Sequence, residues 1–255
     1  MTVLEFALLV VAGVGAGLVG SIAGLASLIG YPALLATGIP PLSANVTNSV
    51  AMVFNGVGSV SASRPELTGQ ARRLVPLMAA GVLGGTAGAA LLLLTPPTAF
   101  QRIVPFLIAG ASLAMLVQRR PPREPVVERA AGHRHRDSWP LVLGTFLISI
   151  YGGYFGAAAG VAMLALFLLA TGEAFPRSNA MRNLVLACAN GIAAVGYAVF
   201  ADVDWLAALP LAVGLLVGGR QGPKVVRRVP ATLLRRVIAV LGLGLAVRLG
   251  VDAFA

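Results

Sequence analysis

Apolar residues run through the chain in long blocks separated by short polar gaps. Six blocks, about 42–63, 74–94, 98–118, 183–201, 205–219 and 233–251, predict membrane-crossing helices, since roughly 20 apolar residues span a hydrocarbon core of about 30 Å. The fifth block is short and is expected to extend into its flanks. Two further apolar stretches, 3–38 and 139–172, are too long for one crossing and too broken for one helix. Gly13, Gly15, Gly17, Gly20, Gly24 and Gly30-Tyr31-Pro32 interrupt the first, and Tyr151-Gly152-Gly153 and Gly156 interrupt the second. Each predicts two short crossings or a re-entrant hairpin whose backbone faces protein or water rather than lipid. Residues 119–138, RRPPREPVVERAAGHRHRDS, form the one polar linker and divide the chain into membrane repeats 1–118 and 139–255.

The two halves repeat one another. Gly20 and Gly24 recur as Gly156 and Gly160, Ala36-Thr37-Gly38 as Ala170-Thr171-Gly172, and Asn48 and Asn55-Gly56 as Asn183 and Asn190-Gly191. Pro76, Gly84-Gly85 and Gly88 recur as Pro210, Gly218-Gly219 and Gly222, and Pro96, Thr98 and Arg102 as Pro230, Thr232 and Arg236. The offset stays between 134 and 136 throughout, which predicts a duplication.

Composition narrows the class. Of 255 residues, 58% are hydrophobic and only 11% charged, against about 25% charged in soluble domains. The polar shell of a soluble enzyme is missing. A net charge of +10 would suggest nucleic acid in a soluble protein, but no basic stretch is interleaved with aromatics as single-strand binders require. The charge reads instead as topology. If each broken stretch crosses an even number of times, loops 64–73, 119–138, 173–182 and 220–236 hold 17 of the 19 basic residues on one side. If each crosses once, the split is 10 to 9. Basic residues collect in cytoplasmic loops, so the second half is expected to lie upside-down relative to the first, with both termini outside. The expected fold is an all-α polytopic protein of the cell (inner) membrane. It has two inverted structural repeats and about 8–10 transmembrane or re-entrant helical segments. No Lys or Arg precedes Arg64, so the first apolar stretch lacks the cationic start of a cleaved signal peptide and is expected to persist. Inverted repeats with broken segments at matching places are a build of secondary transporters, whose sites lie near midplane.

The glycine-rich openings GAGLVGSIAGLASLIGYPALLATG and YGGYFGAAAGVAMLALFLLATG resemble the sulfite exporter TauE/SafE family of membrane permeases. So do the helix starts that follow, LSANVTNSVAMVFNGVGS and RSNAMRNLVLACANGIAA, and the closing VDWLAALPLAVGLLVGGRQG…VPATLLRRVIAVLGLGLAVRL. The resemblance covers everything but the linker. It implies transport, commonly outward, of small anions such as sulfite, sulfonates or related organosulfur carboxylates. The halves depart from close symmetry where Thr47 pairs with Arg182 and where Ser27-Leu28 is replaced by Met163-Leu164.

The candidate substrate-binding residues follow from depth and repetition. Asn48 and Asn55, like Asn183 and Asn190, are seven apart and share a helix face. Amides at that depth serve a ligand or bond between helices. Arg182 stands beside the repeated Asn183, opposite neutral Thr47, at the expected head of a span. Free N–H groups there and a guanidinium fork suit an anion, and an arginine snorkelling to the interface is the alternative. Gly20, Gly24, Gly156 and Gly160 could bring backbone N–H groups close to a substrate. Gly84/Gly88 and Gly218/Gly222 read as helix packing. Ser43, Thr47, Ser49 and Ser178 cluster at the same helix starts, where capping accounts for most.

The remaining chemistry is sparse. Cys188 stands alone, which excludes an internal disulfide and a cysteine metal site. His133 and His135 lie in the arginine-rich linker and make a poor metal site. No catalytic constellation, metal or other cofactor is expected. All nine carboxylates fall at span ends or in loops, which disfavours a carboxylate proton relay and a bare cation as substrate. The expected partners are a small anion and the lipid bilayer, and homo-oligomerisation stays open. A passive pore for small anions or neutral solutes, or a non-transporting anchor for a partner, are the alternatives.

Overall fold

The computed structural model describes residues 1–117, 139–225 and 231–254. The linker 119–138 with its two histidines therefore lies outside the described residues, as does the repeat match at Pro230. Among the described residues there are eleven helices and no strand. The first half holds α1 (Val3–Ala23), α2 (Ser27–Ala36), α3 (Pro41–Ala62), the short α4 (Arg64–Leu67), α5 (Ala71–Leu93) and α6 (Pro97–Val117). The second holds α7 (Trp139–Tyr154), α8 (Ala159–Thr171), α9 (Phe175–Phe200), α10 (Trp205–Val225) and α11 (Ala231–Phe254).

Local chemistry accounts for several boundaries. Thr2 and Glu5 form a capping box at the start of α1, satisfying two orphan donors at once. Prolines stand in the first turn of α3 and α9, where the missing N–H has no partner to lose. Asp204 accepts from the Ala207 N–H at 3.0 Å and caps α10. One boundary differs from expectation. The span expected to begin near 183 starts at Phe175, about two turns earlier. Its polar opening, FPRSNAMR, is helical because Ser178, Asn179 and Arg182 face protein, not lipid.

Glycine faces bring the backbones together. A Cβ on Gly13 would lie 2.5 Å from the Leu211 carbonyl oxygen, and one on Gly17 2.6 Å from that of Leu215. Residue numbers rise together, so α1 runs parallel to α10. In the same way α5 runs parallel to α7, with Gly84 on Phe146 and Gly88 on Ile150, and to α9, with Gly81 on Val185 and Gly85 on Ala189. Close approach through small residues is how helices gain contact where lipid supplies no hydrophobic drive. Gly218 against Val14 and Gly222 against Ser21 serve the same packing.

Contacts at the helix ends fix the directions. At one end Arg73, in the first turn of α5, reaches Glu173 just before α9, at 3.3 Å. At the other, Phe200, Ala201 and Asp202 lie beside Leu42, Ser43 and Val46 of α3, so α3 and α9 are antiparallel. Thr37, Gly38 and Ile39, after α2, share a cleft with Asp202 and Asp204, which precede α10. The first broken stretch thus returns to the end it started from. The second does the same at the Glu173 end, so the two hairpins enter from opposite ends of α9. Their tips meet inside the bundle, where Gly24 lies against Gly160.

Among the described residues α1, α5 and α9 are long and apolar enough to cross a membrane. At 10 residues α2 is only about 15 Å long, half a hydrocarbon core. The 22-residue α3 is long enough but carries Asn45, Thr47, Asn48, Ser49, Asn55 and Ser59, all buried against protein.

Candidate functional site

Each hairpin turns on a left-handed glycine. Gly24 has φ +77° and donates its N–H to the Gly20 carbonyl at 2.8 Å, closing α1. Gly156 has φ +78°, and Ala158 (φ +63°) is the one non-glycine with positive φ among the described residues. Breaking a helix leaves carbonyls at the end of one segment and amides at the start of the next. The carbonyls are met across the interface. The Ser21 oxygen accepts from Asn179 Nδ2 at 3.0 Å, Arg182 Nη2 at 2.9 Å and Asn183 Nδ2 at 3.4 Å. The Gly20 oxygen accepts from Arg182 Nη2 at 3.1 Å. At the end of α7, the Tyr154 oxygen accepts from Asn45 Nδ2 at 3.0 Å, and the Gly153 oxygen accepts from the Tyr197 hydroxyl. Asn45 of α3 and Asn179, Arg182 and Asn183 of α9 thus each serve the broken hairpin of the other half, while Tyr197 serves the hairpin of its own.

A small cavity lies where the breaks meet. Both hairpins contribute, through Gly20, Gly24 and Ala26 on one side and Gly152, Gly156, Ala159 and Gly160 on the other. α3 adds Met52, Asn55, Gly56 and Ser59, and α9 adds Arg182, Asn183, Leu186, Ala187 and Asn190. The cavity volume is ≈ 40 Å³, where one water needs about 10–15 Å³. The first turns of α2 and α8 open beside it with the positive ends of their dipoles, while the turns before them take the Leu28, Ile29, Ala159 and Val161 N–H groups.

Arg182 is fully buried, at 0% exposure. It sits about two turns inside α9 rather than at its head, so the interfacial, snorkelling alternative does not hold. Its Nη2 also donates to Asn183 Oδ1 at 2.7 Å. Its Nη1 lies 2.7 Å from where a Gly24 Cβ would be. Its contacts are thus with the closing turn of α1 in the other half, not with the start of its own helix.

The structure brings eight of the ten candidates to one cavity: Arg182, Asn183, Asn190, Asn55, Gly20, Gly24, Gly156 and Gly160. Thr47 and Asn48 lie elsewhere. Thr47 is fully buried, and its Oγ1 accepts from the Asp204 N–H at 3.0 Å. Asn48 donates to Ser27 Oγ at 3.2 Å and touches Met52 Sδ at 3.7 Å, one residue back from the cavity wall. Sequence reasoning missed Asn45 and Asn179, the reciprocal helix-end donors. A signal was there, since they are 134 apart within the two repeated helix starts.

Comparison with known proteins agrees over nearly the whole chain. Residues 9–249 match the family model described as sulfite exporter TauE/SafE. The chain belongs to this family. A probable membrane transporter protein, ORF9, of Sinorhizobium sp is 27% identical over 251 residues, covering 96% of this chain and 92% of the relative. The probable membrane transporter protein YfcA of Escherichia coli (strain K12) is 26% identical over 244 residues, 93% of this chain and 87% of the relative. A probable membrane transporter protein of Haemophilus influenzae is 25% identical over 249 residues, covering 96% and 94%. No solved structure matches. Family and helical architecture together make the chain a multi-pass membrane transporter, and the described cavity is the TauE/SafE member's candidate substrate site.

Proposed function

We propose that the chain is a secondary-type transporter of the cell (inner) membrane that exports small anions such as sulfite, sulfonates or related organosulfur carboxylates. The observation that carries this reading is a fully buried guanidinium lining a cavity between two broken helices. Amides at helix starts and an arginine fork are the groups that replace an oxyanion's hydration. The cavity contains no carboxylate among its described lining residues.

The two halves act as inverted repeats around this site, with both termini outside and the Glu173 end in the cytoplasm. The antiparallel α3 and α9, the opposed hairpins and the basic loops support that orientation. Alternating access is the mechanism, and a difference between repeat-equivalent positions supports it. A Cβ on Gly56 would lie 2.7 Å from Ala187 Cβ, whereas Gly191 has nothing within 4 Å. Asn55 is buried and Asn190 only partly so. The bundle is thus closed at the first copy and loose at the second, as expected of one of two states that exchange these roles.

The test is flux of labelled sulfite, sulfonates and small carboxylates in proteoliposomes, with Arg182→Ala and Asn183→Ala beside the wild type. Flux above empty vesicles that falls in the variants is the expected result. Wild-type vesicles that move no anion would refute the transport reading, and normal flux in both variants would refute the site.

A further inference from the structure

The apolar lining of the cavity is mostly small. Ala26, Ala159 and Ala187 are each opposed by a cavity glycine: Ala26 Cβ lies 2.6 Å from where a Gly20 Cβ would be, Ala159 Cβ 3.6 Å from that of Gly152, and Ala187 Cβ 2.7 Å from that of Gly56. Among the described lining residues only two side chains are both apolar and long, Met52 from α3 and Leu186 from α9. Met52 is held in place, because its sulfur receives Ser27 Oγ at 3.1 Å and Asn48 Nδ2 at 3.7 Å. Leu186 lies in the corner next to Gly152, its Cδ2 3.8 Å from the Cβ position there. These two are thus the bulkiest apolar side chains on the wall that Arg182 shares.

We propose that Met52 and Leu186 set the size limit of the substrate, so that the site takes a compact oxyanion with at most a one-carbon substituent. This rests on the anion-transport reading above and narrows its substrate class. A volume of ≈ 40 Å³ corresponds to about three or four waters, so a sulfur or carbon centre with its oxygens already fills it and each added carbon must press against the wall. A longer tail would have to displace packed methyl groups, and overfilling a close-packed wall is unfavourable. Met52 is the fixed wall and Leu186 the adjustable one, since no polar contact ties it.

A homologous series separates size from charge. Methane-, ethane-, propane- and butanesulfonate, all singly charged with one headgroup, compete against radiolabelled methanesulfonate in proteoliposomes. In the wild type, inhibition is expected to weaken on the order of tenfold or more from methane- to propanesulfonate, the scale by which one methylene discriminates in a tight pocket. Leu186→Ala removes wall and no polar contact, so it should narrow the ratio between methane- and propanesulfonate inhibition constants by roughly tenfold, whatever it does to the absolute rate. Gly152→Ala serves as the second variant: its added methyl meets only ordinary contacts at 3.6 and 3.8 Å, so it folds yet shifts the cut-off towards smaller anions. Equal competition by all four sulfonates in the wild type, or a Leu186→Ala profile identical to it, overturns the size limit while leaving transport standing. Movement of no anion at all overturns the transport reading and this inference with it.

Discussion

Gly24 and Gly160 meet backbone to backbone at the tips of the two hairpins. A Cβ on either would fall 2.5 Å from the other's main chain, on the carbonyl carbon of Gly160 or the Cα of Gly24. The contact joins residues that match one another in the repeated sequence of the two halves. Gly24 also requires φ +77°. Gly24→Ala is therefore expected to destabilise by about 2–4 kcal/mol, combining left-handed strain with overpacking. Thermal unfolding in detergent, with Gly15→Ala at an open helical position as the control, checks it. An unchanged Tm would show that the tips do not touch.

The equivalent pair Gly56 and Gly191 should respond unequally. Gly56→Ala places a methyl against Ala187, and Gly191→Ala meets open space. The first is expected to lower stability by about 1–3 kcal/mol. The second should be neutral or stabilising by up to about 1 kcal/mol, the usual gain of alanine over glycine inside a helix. Equal effects would remove the asymmetry on which the two-state reading leans.

At Arg182, charge and fork can be separated. Arg182→Lys keeps the charge but cannot bridge the Gly20 and Ser21 carbonyls and Asn183 as one planar group. Anion flux is expected to fall roughly tenfold in Arg182→Lys and a hundredfold or more in Arg182→Gln, using about 1.4 kcal/mol per tenfold. Initial rates in proteoliposomes at matched protein density measure this. Equal rates for the two variants would mean that charge plays no part.

Asn45 and Asn179 hold carbonyls at the ends of α7 and α1. Each alanine variant leaves a buried carbonyl short of a donor, costing about 1–3 kcal/mol. The Ser21 carbonyl has other donors, so Asn179→Ala should sit at the low end and Asn45→Ala higher. Denaturant unfolding of both single variants decides the order.

Topology has a direct check, because Cys188 is the only native thiol. In a Cys188→Ala background, Thr37→Cys should react with an impermeant maleimide applied outside intact cells, and Gln70→Cys only after lysis. The reverse pattern would turn the proposed orientation over.

Much of the fold was legible because a bilayer imposes one-dimensional rules. Helices must be long and apolar, and loops carry the charge, so blocks of residues reveal spans without knowledge of contacts. The start of α9 was misjudged for the same reason. A polar run such as FPRSNAMR reads as loop when only hydropathy is counted, yet here it is helix shielded by neighbouring helices. Repetition exposed Asn55, Asn190 and the hairpin glycines, which reach the cavity, but it marked Asn48 as strongly, and Asn48 supports Met52 from behind.

By itself the sequence determined the helical membrane class, the places of the two breaks and the matching pattern of polar and glycine positions in the two halves, because each depends on composition or spacing along one chain. Only the tertiary structure decided that Arg182 reaches the carbonyls of the other half, that Asn45 and Asn179 exchange partners, and that Met52 and Leu186 bound the cavity. Those relations join residues more than a hundred positions apart, or depend on a few tenths of an ångström between packed backbones. Hydropathy and periodicity describe the faces of each helix, whereas pairing between helices is set by three-dimensional packing that neither encodes.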